Sequence, residues 1–184
     1  MATVLVPLAQ GVEELEAVTV IDLLRRAGIE VVTAGLDETP VKASRGTVLL
    51  PDTTLERALT RDHDMLVLPG GQPGATHLEN DKRLLALIQK MARANRYTAA
   101  ICAAPKVLAR AGVLEGKRAT SFPGALDPAH WPQVRMENRA VVTDGKVITS
   151  RGPGTAMDFA LELIALLAGK EKRDQVEAGL QRGK

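Results

Sequence analysis

The sequence predicts a doubly wound α/β sandwich with a mainly parallel sheet. Three observations predict it. Short, continuous apolar runs at Thr3–Pro7, Met65–Leu68 and Tyr97–Ile101 suit strands covered on both faces, as parallel strands are. Segments of helical apolar spacing alternate with them, and Gly28, Gly112 and Gly169 stop those segments. The first strand, the first helix and a β-branched second strand at Ile29–Ala34 together make one β-α-β unit of about the ~30 residues such units occupy.

The remaining elements follow from local pattern. After the Gln10-Gly11 turn, Leu15, Val18, Ile21 and Leu23-Leu24 recur at helical spacing up to Arg26. Val41-Lys42 and Thr47–Leu50 read as short strands, forming either a hairpin or a sheet edge. Asp52 or Thr53 caps a short helix through Leu59. Asn80 or Asp81 caps the clearest helix of the middle of the chain, with Leu84, Ile88, Met91 and Ala92 on one face. A helix after Cys102 runs to Ala111. Arg118–Ser121 reads as a strand, and the segment from Phe122 to Glu137, rich in proline and small residues, as a loop. Ala140–Thr143 and Lys146–Ser150 flank Asp144-Gly145, a strong hairpin signal. Thr155 with Asp158 patterns a capping box for an apolar helix through Ala168, and Glu171–Leu180 is a polar terminal helix.

Bulk properties exclude several classes. The 184 residues suit one well-buried domain spanning the chain. Lys and Arg number 24 against 22 Asp and Glu, and aromatics are 2%, so little is available to stack on bases and nucleic acid is not expected as the primary partner. One cysteine forbids an internal disulfide and fits a reducing compartment. The N-terminal apolar run lacks a basic flank, and no run approaches the ~20 residues of a membrane helix, so the expected address is the cytoplasm. No Gly-x-Gly-x-x-Gly follows a strand and no Walker loop is present, which disfavours nucleotide chemistry. No His/Cys/Asp/Glu cluster has metal-ligand spacing, so no metal is expected.

The chemistry centres on Cys102. It ends the apolar run Thr98-Ala-Ala-Ile101 and precedes Ala103-Ala104-Pro105, small neighbours that a sharp strand-to-helix turn requires. A cysteine there is either a small buried hydrophobe or a thiol activated by the helix N-terminus, whose N–H groups and dipole favour thiolate. Glu13, Glu14 and Glu16 fall in the first turn after strand one, where the dipole alone accounts for acids. Glu16 either shares that role or turns toward the sheet, where a neutral carboxyl could donate to a thiolate, the two titrating as a unit. Pro69-Gly70-Gly71 ends a strand; it is a plain turn, or it supplies with Ala103 the N–H groups that hold an oxyanion. His63 and His77 read as surface residues, and His130 lies in the irregular loop, so a conventional Cys–His pair is not evident.

These motifs occur in a familiar order. Gly11-Val-Glu-Glu-Leu-Glu16, Leu68-Pro-Gly-Gly71, Ala99-Ala-Ile-Cys-Ala-Ala-Pro105 and Ser150-Arg-Gly-Pro-Gly-Thr155 resemble the ThiJ/PfpI superfamily over the whole chain, and most closely its YajL-like branch, which includes the parkinsonism-associated deglycase. The resemblance implies a flavodoxin-like three-layer sandwich, a homodimer, a nucleophile-elbow cysteine at Cys102 and a protonated carboxyl at Glu16. It also implies backbone oxyanion donors around Gly70, Gly71 and Ala103, and a site edge from Arg151, Gly152 and Pro153, supplied by the same chain or the partner. Arg26 and Arg45 match basic positions near that site or the dimer contact. Phe122 stands where several family members place a histidine, which removes the easiest general base.

The expected function is therefore that of a cofactor-independent, stress-protective protein acting on reactive dicarbonyls such as methylglyoxal or on their early glycation adducts. The rival expectation is a sensor or chaperone that works by oxidation of Cys102.

Overall fold

The computed structural model describes residues 1–183. Its strands are β1 (Thr3–Leu8), β2 (Glu30–Gly35), β3 (Val41–Lys42), β4 (Val48–Leu49), β5 (Thr53–Thr54), β6 (Met65–Leu68), β7 (Tyr97–Ile101), β8 (Arg118–Ala119), β9 (Arg135–Met136), β10 (Val141–Asp144) and β11 (Val147–Ser150). The helices are α1 (Glu14–Arg26), α2 (Leu55–Ala58), α3 (Gly74–Asn80), α4 (Lys82–Arg93), α5 (Pro105–Arg110), α6 (Ala156–Ala168) and α7 (Lys170–Gly179). Seven strands form one sheet in the order β10-β11-β7-β6-β1-β2-β5, parallel throughout except for β10. The predicted α/β sandwich is the observed one.

The strand pleat sorts the core into two layers. Val4, Val6 and Leu8 of β1, Val67 of β6 and Ile101 of β7 face α1 and α6, where they meet Val20, Leu24, Phe159 and Ile164. Leu5, Leu66, Leu68 and Ala100 face the opposite way, against Leu55 of α2, Leu84 and Ile88 of α4, and Leu108 of α5. Continuous apolar runs thus mark strands with helices on both sides. Among the described residues, no helix is long and apolar enough to cross a membrane.

The structure decides between the alternatives at two places and changes the expectation at others. The 41–49 segment is a two-stranded antiparallel hairpin outside the main sheet. Thr53 joins the sheet edge in β5, and Thr54 caps α2 instead, accepting from the Arg57 N–H at 3.3 Å. Asp81 caps α4, accepting from the N–H groups of Arg83 and Leu84. Helix α3 had no sequence signal because it begins on Gly74 without a side-chain cap. Within the expected loop, Arg135-Met136 pairs in parallel with Arg118-Ala119. The hairpin turn falls on Gly145-Lys146, one residue later than Asp144-Gly145: Asp144 pairs with Val147 in β10, and Gly145 supplies the positive φ of 64° that the first loop residue of a tight hairpin needs.

Candidate active site

Strand β7 runs out at Ile101, and Cys102 takes φ 62°, a left-handed conformation that costs a non-glycine residue about 1–3 kcal/mol. Two main-chain hydrogen bonds hold it there: the Cys102 N–H donates to Ser150 O at 3.0 Å, and Cys102 O accepts from the Phe122 N–H at 2.9 Å. The thiol is 9% exposed and lies on the α1/α6 side of the sheet. Helix α5 starts only at Pro105 and spans six residues. The local donors that favour thiolate are therefore the N–H groups of Gly71 and Ala103, the two expected from sequence.

Glu16, in the first turn of α1, is fully buried and turned toward this elbow. Its Oε2 accepts the Gly70 N–H at 2.8 Å, while its buried Oε1 has no partner in hydrogen-bonding geometry. Gly70 separates the two reactive groups. A Cβ at this position would lie 2.6 Å from the Cys102 Cβ and 2.8 Å from Glu16 Oε2, so only glycine fits.

Burial pushes Glu16 up to about 7; the Gly70 N–H and the thiol oppose the rise, and the Glu13 charge adds to it. Burial, followed by the charge of an ionised Glu16, pushes Cys102 up to about 12 against the pull of Gly71 and Ala103. This departs from the dipole-lowered thiol expected from sequence. The two groups repel only when both are ionised, so the pair loses its first proton near 7 and keeps its second far above that. Above about 7 it carries one negative charge and one proton, and thiolate exists when that proton sits on Glu16.

Backbone contact locks this arrangement to the start of α1. Gly71 has φ 90°, and a Cβ there would lie 2.3 Å from the Glu13 nitrogen and 2.6 Å from Gly11 O. The Glu13 N–H donates to Gly70 O at 3.0 Å. Glu13 and Glu14 do more than complement the helix dipole. Ser44 Oγ donates to Glu13 Oε2 at 2.7 Å, and the N–H groups of Arg45 and Thr47 donate to Glu14 Oε1 at 3.1 and 3.3 Å.

The third side of the site comes from the loop after β11 of the same chain. A Cβ on Gly152 would lie 4.0 Å from the Cys102 Sγ and 3.4 Å from Phe122 Cδ2. Thr155, expected to cap α6 with Asp158, instead turns back on this loop: its hydroxyl bonds Ser150 Oγ at 2.7 Å and accepts the Gly152 N–H at 3.1 Å. Thr155 is thus a positioning residue that the capping-box pattern hid. Arg151 and Pro153 flank Gly152 and are half-buried.

A profile of the DJ-1/PfpI family matches residues 2–166. Protein dj-1beta of Drosophila melanogaster is 44% identical over 177 residues, covering 96% of this chain and 95% of its own. The chain belongs to the DJ-1/PfpI family. A Caenorhabditis elegans relative named glutathione-independent glyoxalase DJR-1.2 is 33% identical over 175 residues, 95% of this chain and 92% of its own. The crystal structure of Drosophila DJ-1beta superposes with a TM-score of 0.91 at 42% identity, covering 100% of this chain and 99% of that one. Toxoplasma gondii DJ-1, solved in an oxidized form, gives 0.92 at 35% identity and covers 100% of both. The DJ-1 flavodoxin-like fold is therefore the fold of this chain.

Within one chain of this DJ-1/PfpI member Arg26 and Arg45 are engaged away from the thiol, and His63 departs from its expected place. Arg26 ends α1 about 15 Å along the helix axis from Glu16, and pairs with Asp22 at 2.7 Å on an exposed face. Arg45 offers its main chain to Glu14, and its side chain is exposed. His63, expected at the surface, is 5% exposed, with Nε2 bonded to Ala58 O at 3.1 Å. His77 and His130 are exposed, the latter 3.1 Å from Asp127. No histidine partners the thiol. Among the described residues no group of three or more His, Cys, Asp and Glu could hold a metal ion.

Proposed function

We propose that the protein is a cysteine-dependent, stress-protective enzyme acting on reactive dicarbonyls such as methylglyoxal, or on their early adducts. The observation that carries this reading is the convergence of a strained elbow thiol, a buried carboxyl and two N–H donors on one point. The glyoxalase name of the nematode relative supports the same class.

In this reading the Cys102 thiolate adds to the aldehyde carbon, and the N–H groups of Gly71 and Ala103 hold the resulting oxyanion as a hemithioacetal. Glu16, ionised once its proton has passed to that oxygen, takes the C1 proton and returns it at C2. C1 is oxidised to a thioester while the C2 carbonyl is reduced to a hydroxyl, so no external oxidant is needed. Water then cleaves the thioester, releasing lactate and restoring the thiol. The net reaction is methylglyoxal plus water to lactate, without a cofactor. Lactate production by purified protein, abolished in Cys102→Ser and reduced in Glu16→Gln, supports the reading; undiminished production by Cys102→Ser overturns it.

A homodimer is part of this proposal. Leu15 and Val18 of α1 are exposed, as are Val48 and Leu50, and Val18 and Leu50 line one open depression; a second copy would cover these apolar side chains. Sedimentation that gives the monomer mass at micromolar concentration counts against it. A second reading, oxidation sensing, draws on the oxidized Toxoplasma neighbour and on the unpartnered Oε1 of Glu16, which as a protonated acid could donate to a sulfinate. A stable two-oxygen mass gain at Cys102 after mild peroxide supports it, and oxidation confined to methionines counts against it.

A further inference from the structure

Phe122 holds an unusual position for a large apolar side chain. It is 51% exposed, yet its ring is 3.4 Å from where a Cβ on Gly152 would stand, and that same point is 4.0 Å from the Cys102 sulfur. Its backbone is tied down independently of the ring. The Phe122 N–H donates to Cys102 O at 2.9 Å, and Phe122 O accepts from the Ala125 N–H at 2.9 Å and from the Ser121 hydroxyl at 3.0 Å. Phe122 also lines an open cavity of about 290 Å³, where apolar Pro123, Leu126 and Met136 are mixed with polar Glu137, Asn138 and Arg151. The thiol is absent from that lining. Phe122 thus borders both the surroundings of a nearly closed thiol and an open cavity whose volume suits an aryl or branched alkyl group.

We infer that Phe122 is a specificity-determining residue that acts as a size filter: its ring walls the Cys102 thiol off from the neighbouring cavity, restricting the site to small aldehydes and excluding aryl-substituted 2-oxoaldehydes. The inference rests on the reading of Cys102 as the group that meets the substrate. The physical basis is steric. The bonded backbone fixes where the side chain starts, and in its observed rotamer the ring fills the space beside Gly152, so a bulky group next to the thiol meets it. Shortening the side chain joins the thiol's surroundings to the cavity, where Pro123, Leu126 and Met136 give that group an apolar wall to lie against.

The test compares wild type, Phe122→Ala and Phe122→Leu with two pairs of probes. In the first pair, Cys102 is alkylated by iodoacetamide or by the bulkier N-phenylmaleimide. The expected result is that the alanine variant raises the rate with the bulky reagent about tenfold more than the rate with the small one, leucine falling between. Equal effects on both reagents, or none, overturn the inference. In the second pair, kcat/KM is measured for phenylglyoxal and methylglyoxal, and the phenylglyoxal preference is expected to rise in the same order. If turnover is present but that ratio stays flat, the size filter does not govern specificity and the inference fails. If no variant turns over either substrate, the dicarbonyl reading fails, while the alkylation ratios still decide the role of Phe122. Because the leucine variant keeps an apolar group on an unchanged backbone, it provides the comparison should the alanine variant misfold.

Discussion

The Gly70 N–H donates to Glu16 Oε2 at 2.8 Å, and this bond sets the distance at which the carboxyl faces the elbow cysteine. A glycine does so because its own Cα is the partition between the two groups.

Gly70→Ala is expected to fold poorly. Its Cβ would lie 2.6 Å from the Cys102 Cβ and 2.9 Å from Ile101 O, and the latter is sheet backbone that cannot yield. Overpacking of this kind costs about 1–3 kcal/mol. Urea unfolding should show a loss at or above the top of that range, together with loss of Cys102 reactivity. Wild-type stability would contradict the tight packing of the site.

Gly152→Ala separates access from stability. The Gly152 backbone is extended, and the added methyl would meet Phe122 Cδ2 at 3.4 Å and the sulfur at 4.0 Å, which are ordinary contacts. The midpoint of unfolding should stay within the small range of a tolerated substitution, while alkylation of Cys102 by iodoacetamide slows severalfold. Unchanged alkylation would mean that reagents reach the thiol from another side.

His63 makes stability depend on pH. Burial holds its pKa below the ordinary value of 6.5, outweighing the Ala58 carbonyl that pulls it up. The folded protein keeps the ring neutral while the unfolded chain protonates it, so the contribution is complete above pH 6.5 and is lost as pH falls below it. The difference in Tm between pH 7 and pH 5 should therefore be smaller in His63→Gln than in wild type. An equal difference would assign the acid sensitivity to other groups.

Much of this was legible in the sequence, and the exceptions share a cause. Buried parallel strands were visible because apolar runs such as Met65–Leu68 have helices on both sides. Cys102, Glu16, Gly71 and Ala103 were nameable because the turn, the helix start and the glycine pair are each local patterns. What stayed hidden depends on contacts distant along the chain. The burial of His63, the use of Thr155 to hold the Gly152 loop, and the pairing of Arg118-Ala119 with Arg135-Met136 leave no periodic trace. The choice between a buried and an activated Cys102 is open in the sequence for a related reason. A helix start signals a dipole, but the desolvation of the sulfur and which way Glu16 turns are set by packing between distant segments.

Cys102 and Glu16 titrate as one unit in this account of the site. The direct measurement is the rate of Cys102 alkylation from pH 5 to pH 10 in wild type and in Glu16→Gln. Wild type should show a step near pH 7, where the pair loses its first proton and part of the population carries it as thiolate beside a protonated Glu16. In Glu16→Gln that step should vanish, leaving one ionisation above the ~8.5 of a free thiol, because burial remains and the shared proton does not. Superimposable profiles would contradict the pairing and leave Glu16 as a buried structural acid.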